Sequence, residues 1–170
     1  MTDDELEAVV HGALVATGAP FDILPCDPAL ADTAAFCAHY GYSPDISANT
    51  ILIGSKTDPP SYVACVVLAT TRLDANGVVR RRLGARKVSF APADATVAIT
   101  GMMIGGVTAF GLPDGLPIWV DAAVMRREQL ILGGGSRSTK VLTTPAALAA
   151  LPGLEVVDDL ANPIPVTEGP

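Results

Sequence analysis

A chain of 170 residues has the size of one domain and can bury about two-thirds of its unfolded surface around a single core. Hydrophobic residues make up 49% and charged residues 17%, which excludes a disordered chain, and aromatics at 5% argue against base stacking on a strand surface of the RRM kind. The formal charge of -7 counts against a nucleic-acid partner, yet five of the eleven basic residues (Arg80, Arg81, Arg82, Arg86 and Lys87) crowd into one short stretch, so an acidic protein can still carry one basic face.

In chain order, Thr2 or Asp3 can cap a helix with an acidic first turn, and Leu6, Val9, Val10, Ala13 and Leu14 recur at helical spacing until Gly18. Phe21 to Leu24 reads as a short strand. Asp27 followed by Pro28 opens a second helix that Gly41 closes, with Leu30, Ala34, Phe36 and Cys37 turned inward. The runs Asn49 to Gly54 and Tyr62 to Thr70 are strand-like, and the turn-forming Lys56 to Ser61 between them makes a hairpin. Asp74 caps a short basic helix through Leu83, Arg86 to Phe90 returns as a strand, and Pro92 opens a helix that ends at Gly101. Leu116 to Val120, Gln129 to Leu132 and Thr139 to Thr143 read as strands, Pro145 to Leu151 as a helix and Leu154 to Val157 as a last strand. The expected fold is α+β, a mixed and partly barrel-like sheet surrounded by helices, forming one domain over residues 1–160 with a frayed tail at 161–170.

The start MTDDELEAVV is acidic where a signal peptide is basic and then apolar. The most apolar stretch, Val97 to Leu116, is interrupted by Thr100, five glycines, Pro113 and Asp114. A cytoplasmic protein with no membrane partner is expected. Cys26, Cys37 and Cys65 match neither a CxxC nor a zinc spacing and read as buried thiols. His11 and His39 stand alone inside helices, which leaves a Ser-His-Asp or Cys-His machine without support, and no HxxxH or HxE occurs. Neither a metal nor a cofactor is expected.

Three segments carry candidate chemistry. Gly133 to Lys140 (GGGSRSTK) has the wrong order for a Walker loop, so it is either a strand-to-strand connection or a pocket wall with Ser136 and Arg137 as donors. Asp121 follows the apolar PIWV and sits where either a helix cap or a site carboxylate is common. In GMMIGGVTAFGLP, Gly105, Gly106 and Gly111 bring the backbone close to its surroundings, and free amides in such a loop can bind an oxyanion or carboxylate.

Read together, SANTILIG, YVACVVLATTRLD, LGARKVSFA, TGMMIGGVTAFGLP, LPIWVD and ILGGGSR resemble, in that order, the YbaK family related to the editing domain of bacterial prolyl-tRNA synthetases. The resemblance spans about Phe21 to Val157. It implies a trans-acting hydrolase that frees a small, wrongly attached amino acid from tRNA without a protein nucleophile. Backbone amides of a loop of the form GGxSPxG stabilise the oxyanion, and a water assisted by the substrate's ribose hydroxyl attacks. Carried over, Gly105, Gly106, Thr108 and Ala109 form the catalytic loop with Asn49 as a polar orienter, while Val107, Phe110, Gly111, Asp121, Ser136 and Arg137 contact the substrate. Arg80, Arg81, Arg82, Arg86 and Lys87 would meet tRNA phosphates. The implied partner is the acceptor end of an aminoacyl-tRNA rather than DNA, met by a monomer or homodimer.

Three positions depart from the family pattern. Asn49 stands where AKTL would place lysine, and it lacks the charge that makes a contact to phosphate or ester oxygen roughly twice as strong. Lys56 lies seven residues on, about 23 Å along a strand and facing the other side. Ala109 replaces proline and Thr108 replaces serine. A catalytically silent tRNA- or amino-acid-binding module on the same fold is the alternative that Asn49 suggests.

Overall fold

The structure is a computed structural model and describes residues 1–165. Its first element shows local chemistry deciding a boundary. Thr2 Oγ1 accepts the amide of Glu5 at 3.2 Å and Glu5 Oε2 accepts the amide of Thr2 at 2.9 Å, a reciprocal capping box that starts helix α1 (Asp3–Thr17). Gly18, at φ 73°, ends it. Leu6, Val10 and Leu14, spaced by four, are the face that α1 buries.

Strands β2 (Ala48–Ser55) and β3 (Tyr62–Leu68) form the expected antiparallel hairpin, paired from Ala48 with Leu68 to Gly54 with Tyr62. β5 (Val88–Phe90) joins β2 antiparallel on one side. On the other side β6 (Ile118–Asp121) and β9 (Leu154–Val157) continue the sheet in parallel, giving the order β5-β2-β3-β6-β9. Successive side chains point to opposite faces. Ala64, Val66 and Leu68 therefore pack with Leu52, Ile118, Val120 and the apolar side of α1, whereas Val63, Cys65 and Val67 pack with Ile53, Trp119, Val157 and Leu160. Both faces are covered, which is why these strands read as continuous apolar runs rather than as alternating ones. Cys65 lies deepest, and burial pushes its thiol up to about 12.

A smaller antiparallel sheet has the order β1-β8-β7, from Asp22–Pro25, Thr139–Thr143 and Leu130–Gly133. It meets the larger sheet through a parallel bridge between Ser47 and Ile131. The two sheets do not close into a barrel, so the architecture is α+β with a mixed sheet and helices packed around it. A third pairing joins β4 (Thr71–Leu73) to β10 (Ala161–Pro163), which falls in the stretch read as a tail from the sequence; residues 166–170 of that stretch lie outside the described residues.

The helix expected from Asp27 to Gly41 is broken in two. Asp27 Oδ1 accepts the amide of Ala29 and starts only a 3-10 turn, Pro28–Leu30, after which α2 (Thr33–Tyr40) begins afresh. Continuation would need the carbonyls of Pro28 and Ala31 for helical bonds, and both are taken by distant side chains, Arg137 and Lys140. The helix expected after Asp74 is likewise composite, a wide turn at Ala75–Val79 followed by α3 (Arg80–Leu83). Helices α4 (Ala93–Thr100) and α6 (Pro145–Ala149) fall close to where the sequence places them, and a single helical turn, α5 (Ala122–Met125), follows β6. No helix of the described residues is long and apolar enough to cross a membrane.

Gly12 lies inside α1, and a Cβ there would meet nothing within 4 Å. Gly12→Ala is expected to raise stability by about 0.5–1 kcal/mol, because glycine alone forfeits that amount in a helix interior; urea unfolding followed by circular dichroism measures it.

Candidate active site

The loop after α4 is built by short-range bonds. Thr100 Oγ1 donates to Thr96 O at 2.7 Å and accepts the amide of Met102 at 3.0 Å, which turns the chain as it leaves the helix at Gly101. The Gly106 amide then donates to Met103 O at 2.8 Å, and Gly105 adopts φ 93°, a conformation that L side chains rarely take. The loop lies directly on the β7–β8 connection. The Gly135 amide donates to Gly106 O at 2.7 Å, and a Cβ on Gly106 would stand 2.6 Å from Ser136 O.

Between this loop and β2 lies a cavity of about 330 Å³. Asn49, Gly105 and Val107 all line it, so the strand and the glycine loop border one space. Asn49 Oδ1 accepts the Thr33 hydroxyl at 2.7 Å, which ties the side chain to the start of α2. Among the described residues, the amides of Gly105 and Val107 donate to no protein acceptor. Phe36, Ile51, Leu52, Phe90 and Ile131 supply apolar wall, and neither a histidine nor a cysteine lines the cavity.

Lys140, on β8, also lines it and was not singled out from the sequence. Its ammonium is buried and donates to Ala31 O at 2.6 Å and to Gly105 O at 2.8 Å. Burial lowers its pKa from the ordinary lysine value; Cys26, Asp32 and Cys37 oppose that shift and Arg137 adds to it. A lysine placed among Val141, Leu142 and the other apolar residues of a short strand was the available sequence signal, since an unpaired cation is seldom buried without a task.

The other sequence candidates divide by position. Thr108, Ala109 and Phe110 are buried beneath the loop, with Thr108 Oγ1 lacking a hydrogen-bond partner, and Gly111 packs against Val9 of α1. Ser136 Oγ donates to Glu7 Oε1 at 2.6 Å and accepts the Ser138 amide at 3.0 Å, fastening the connection to α1 rather than facing the cavity. Arg137 donates to the carbonyls of Pro28 at 3.0 Å and Ile104 at 2.7 Å and lies 3.5 Å from Asp32. Asp121 is buried away from the cavity. It makes no helix-cap bond; its carboxylate instead takes the amides of Leu160 and Ala161, and burial raises its pKa from the ordinary carboxylate value.

The basic stretch lies at the opposite end of β2 from Asn49. Val88 pairs with Ser55, six residues and about 20 Å along the strand from the carboxamide. Arg81, Arg86 and Lys87 are exposed; Arg82 pairs with Glu155 and lies 4.8 Å above the Trp119 ring, and Arg80 Nε donates to Asn76 O. The three cysteines are buried and unbridged, His11 packs edge-on against Phe21, and His39 packs against Tyr40.

The family described as the aminoacyl-tRNA editing domain matches residues 27–151, well over half of the chain. This chain belongs to that family. The editing domain shares its fold with a crystal structure described as a candidate trans-editing enzyme for prolyl-tRNA synthetase, at TM-score 0.77 and 21% identity, covering 93% of this chain and 97% of that one. It is also similar to the hypothetical protein APE2540, at TM-score 0.78 and 23% identity over 90% of this chain and 99% of that one. A larger protein from Marinobacter aquaeolei VT8, described as a candidate signal transduction protein, contains the same fold in 30% of its length at TM-score 0.61 and 18% identity.

Two substitutions separate the loop from the distant carboxylate. Gly106→Ala forces a methyl against Ser136 O and Gly135 O, and a loss of about 1–3 kcal/mol by overpacking is expected in denaturant unfolding, together with shifted amide resonances for residues 104–107. Asp121→Ala strands the Leu160 and Ala161 amides and is expected to cost about 1–3 kcal/mol while leaving those same loop resonances in place.

Proposed function

We propose that this editing domain is a trans-acting deacylase that hydrolyses the ester of a small mischarged amino acid on tRNA. The observation that carries the reading is the convergence of Asn49 and the unpartnered amides of Gly105 and Val107 on one cavity whose described lining contains neither histidine nor cysteine. Ester hydrolysis builds negative charge on the carbonyl oxygen, and fixed amides in a water-poor site stabilise that charge more strongly than solvent does. The attacking water is then oriented by the substrate's own ribose hydroxyl. Asn49 orients the ester from the facing strand, with its carboxamide held by Thr33.

Cavity size favours a small acyl group. A volume of about 330 Å³ is at the low end for ligand pockets, and the wall beside Asn49 is mostly aliphatic and aromatic. Editing serves this class because one methylene is worth only about 1–3 kcal/mol to a synthetase pocket. The exposed Arg81, Arg86 and Lys87 would meet phosphates of the acceptor stem while the single-stranded end enters the cavity.

Deacylation measured across a panel of charged tRNAs is expected to show hydrolysis confined to one or a few small amino acids. Asn49→Ala should lower kcat/KM about tenfold or more, as removal of a single oriented polar group does at such sites. A panel without hydrolysis at high enzyme concentration would remove the claim, and tight binding of a charged tRNA in that same experiment would identify a silent binding module.

A further inference from the structure

Three consecutive carbonyls of the glycine loop are held by three donors from one connection. Ile104 O accepts from Arg137 Nη1 at 2.7 Å, Gly105 O from Lys140 Nζ at 2.8 Å, and Gly106 O from the Gly135 amide at 2.7 Å. A trans peptide carries its carbonyl and its N–H on opposite sides. Drawing these oxygens onto the β7–β8 connection therefore turns the amides of the same peptides away from it. The amide of Gly106 is spent on Met103, and those of Gly105 and Val107 are left free on residues that line the cavity. The two cations work in parallel, for each also holds one carbonyl of the 28–31 turn: Arg137 that of Pro28, and Lys140 that of Ala31.

We propose that Lys140 is a positioning residue for the deacylation: it holds the central Gly105–Gly106 peptide, whose own amide goes to Met103, and so keeps the flanking free amides of Gly105 and Val107 in place toward the acyl oxygen. This inference rests on the deacylase reading. A neutral carboxamide also carries two donors, but an ammonium makes charge-assisted bonds roughly twice as strong as neutral ones. Its burial is costly, and the two carbonyl oxygens offset part of that cost, as do the Phe36 ring 5.7 Å away and the exposed Asp32, which lies 3.5 Å from Arg137. Lys140 is also the one cation among the described residues lining the cavity, so its charge adds to the field felt by a developing oxyanion.

The groups facing the ammonium are Cys26 at the end of β1, Cys37 on α2, Asp32 and Arg137. With burial lowering the pKa, loss of the Lys140 proton weakens the clamp below the pH at which an exposed lysine titrates. Wild-type kcat is thus expected to fall on an alkaline limb.

Lys140→Met tests the assignment. The expected result is a fall in kcat of about tenfold or more with KM within about twofold, disappearance of the alkaline limb, and faster amide hydrogen exchange at Gly106 with β2 and β3 unchanged. Wild-type kcat and wild-type exchange in Lys140→Met would overturn the proposal. If wild-type protein hydrolyses no charged tRNA, the deacylase reading fails by itself and the exchange comparison alone decides the clamp, unchanged protection refuting it. Should Lys140→Met not fold, carbon-13 titration of the wild-type lysines Lys56, Lys87 and Lys140 replaces it. One lysine is then expected to titrate below the exposed range together with the Gly105 and Gly106 amides, and titration that leaves those amides unmoved overturns the proposal.

Discussion

Backbone packed directly on backbone is the constraint from which the site follows. A Cβ on Gly133 would stand 2.4 Å from Val107 O and 2.8 Å from Gly106 O, and one on Gly106 would stand 2.6 Å from Ser136 O. No side chain fits between the glycine loop and the end of β7. This contact brings the loop within reach of the Gly135 amide and of the Arg137 and Lys140 side chains, so its carbonyls are satisfied on that side. Space is left only on the other side, toward β2, and that space is the cavity.

The opposite wall depends on strand register. Seven pairs hold β2 against β3, with Leu52 and Ile53 committed to different cores. A slip of one residue would move both into the wrong face. The register thus sets the position of Asn49 along the strand, and the Thr33 hydroxyl ties its carboxamide to the start of α2. Rigid strand and clamped loop face each other across a gap that neither has to rearrange to form.

Much of this was legible in the sequence, for reasons that are local. The Thr2 and Glu5 capping box, the Lys56 to Ser61 turn between apolar runs and the helix from Pro92 to Gly101 are each decided by residues a few positions apart. The resemblance in the glycine segment and in SANTILIG brought Asn49 and Gly105 together before any coordinates did. What escaped was decided at long range. The break at Ala31 and Asp32 has no strong local signal, because the donors that remove the Pro28 and Ala31 carbonyls from the helix lie more than a hundred residues later. Lys140 escaped for the same reason: in TKVLT it reads as a polar residue on a strand face, and only the pairing of β8 between β1 and β7 turns it inward. Ser136 and Asp121 had the right chemistry for a site, but Glu7 and the start of β10 occupy them.

Electrostatics then narrows what the cavity accepts under the proposed function. Its lining carries one buried cation, Lys140, and one exposed carboxylate, Asp32, at the rim. An ester oxygen entering beside Gly105 meets amides and a positive field, both of which strengthen as charge moves onto it. The α-ammonium of an aminoacyl group would be repelled from Lys140 and drawn to Asp32, the one carboxylate among the described residues lining the cavity, which would orient the acyl group with its carbonyl inward. A charged amino-acid side chain would have to lose its water against Ile51, Leu52 and Phe36 without a partner, a cost of several kcal/mol. Small uncharged side chains avoid it, so under the proposed function the apolar wall facing the loop restricts which esters can reach the amides.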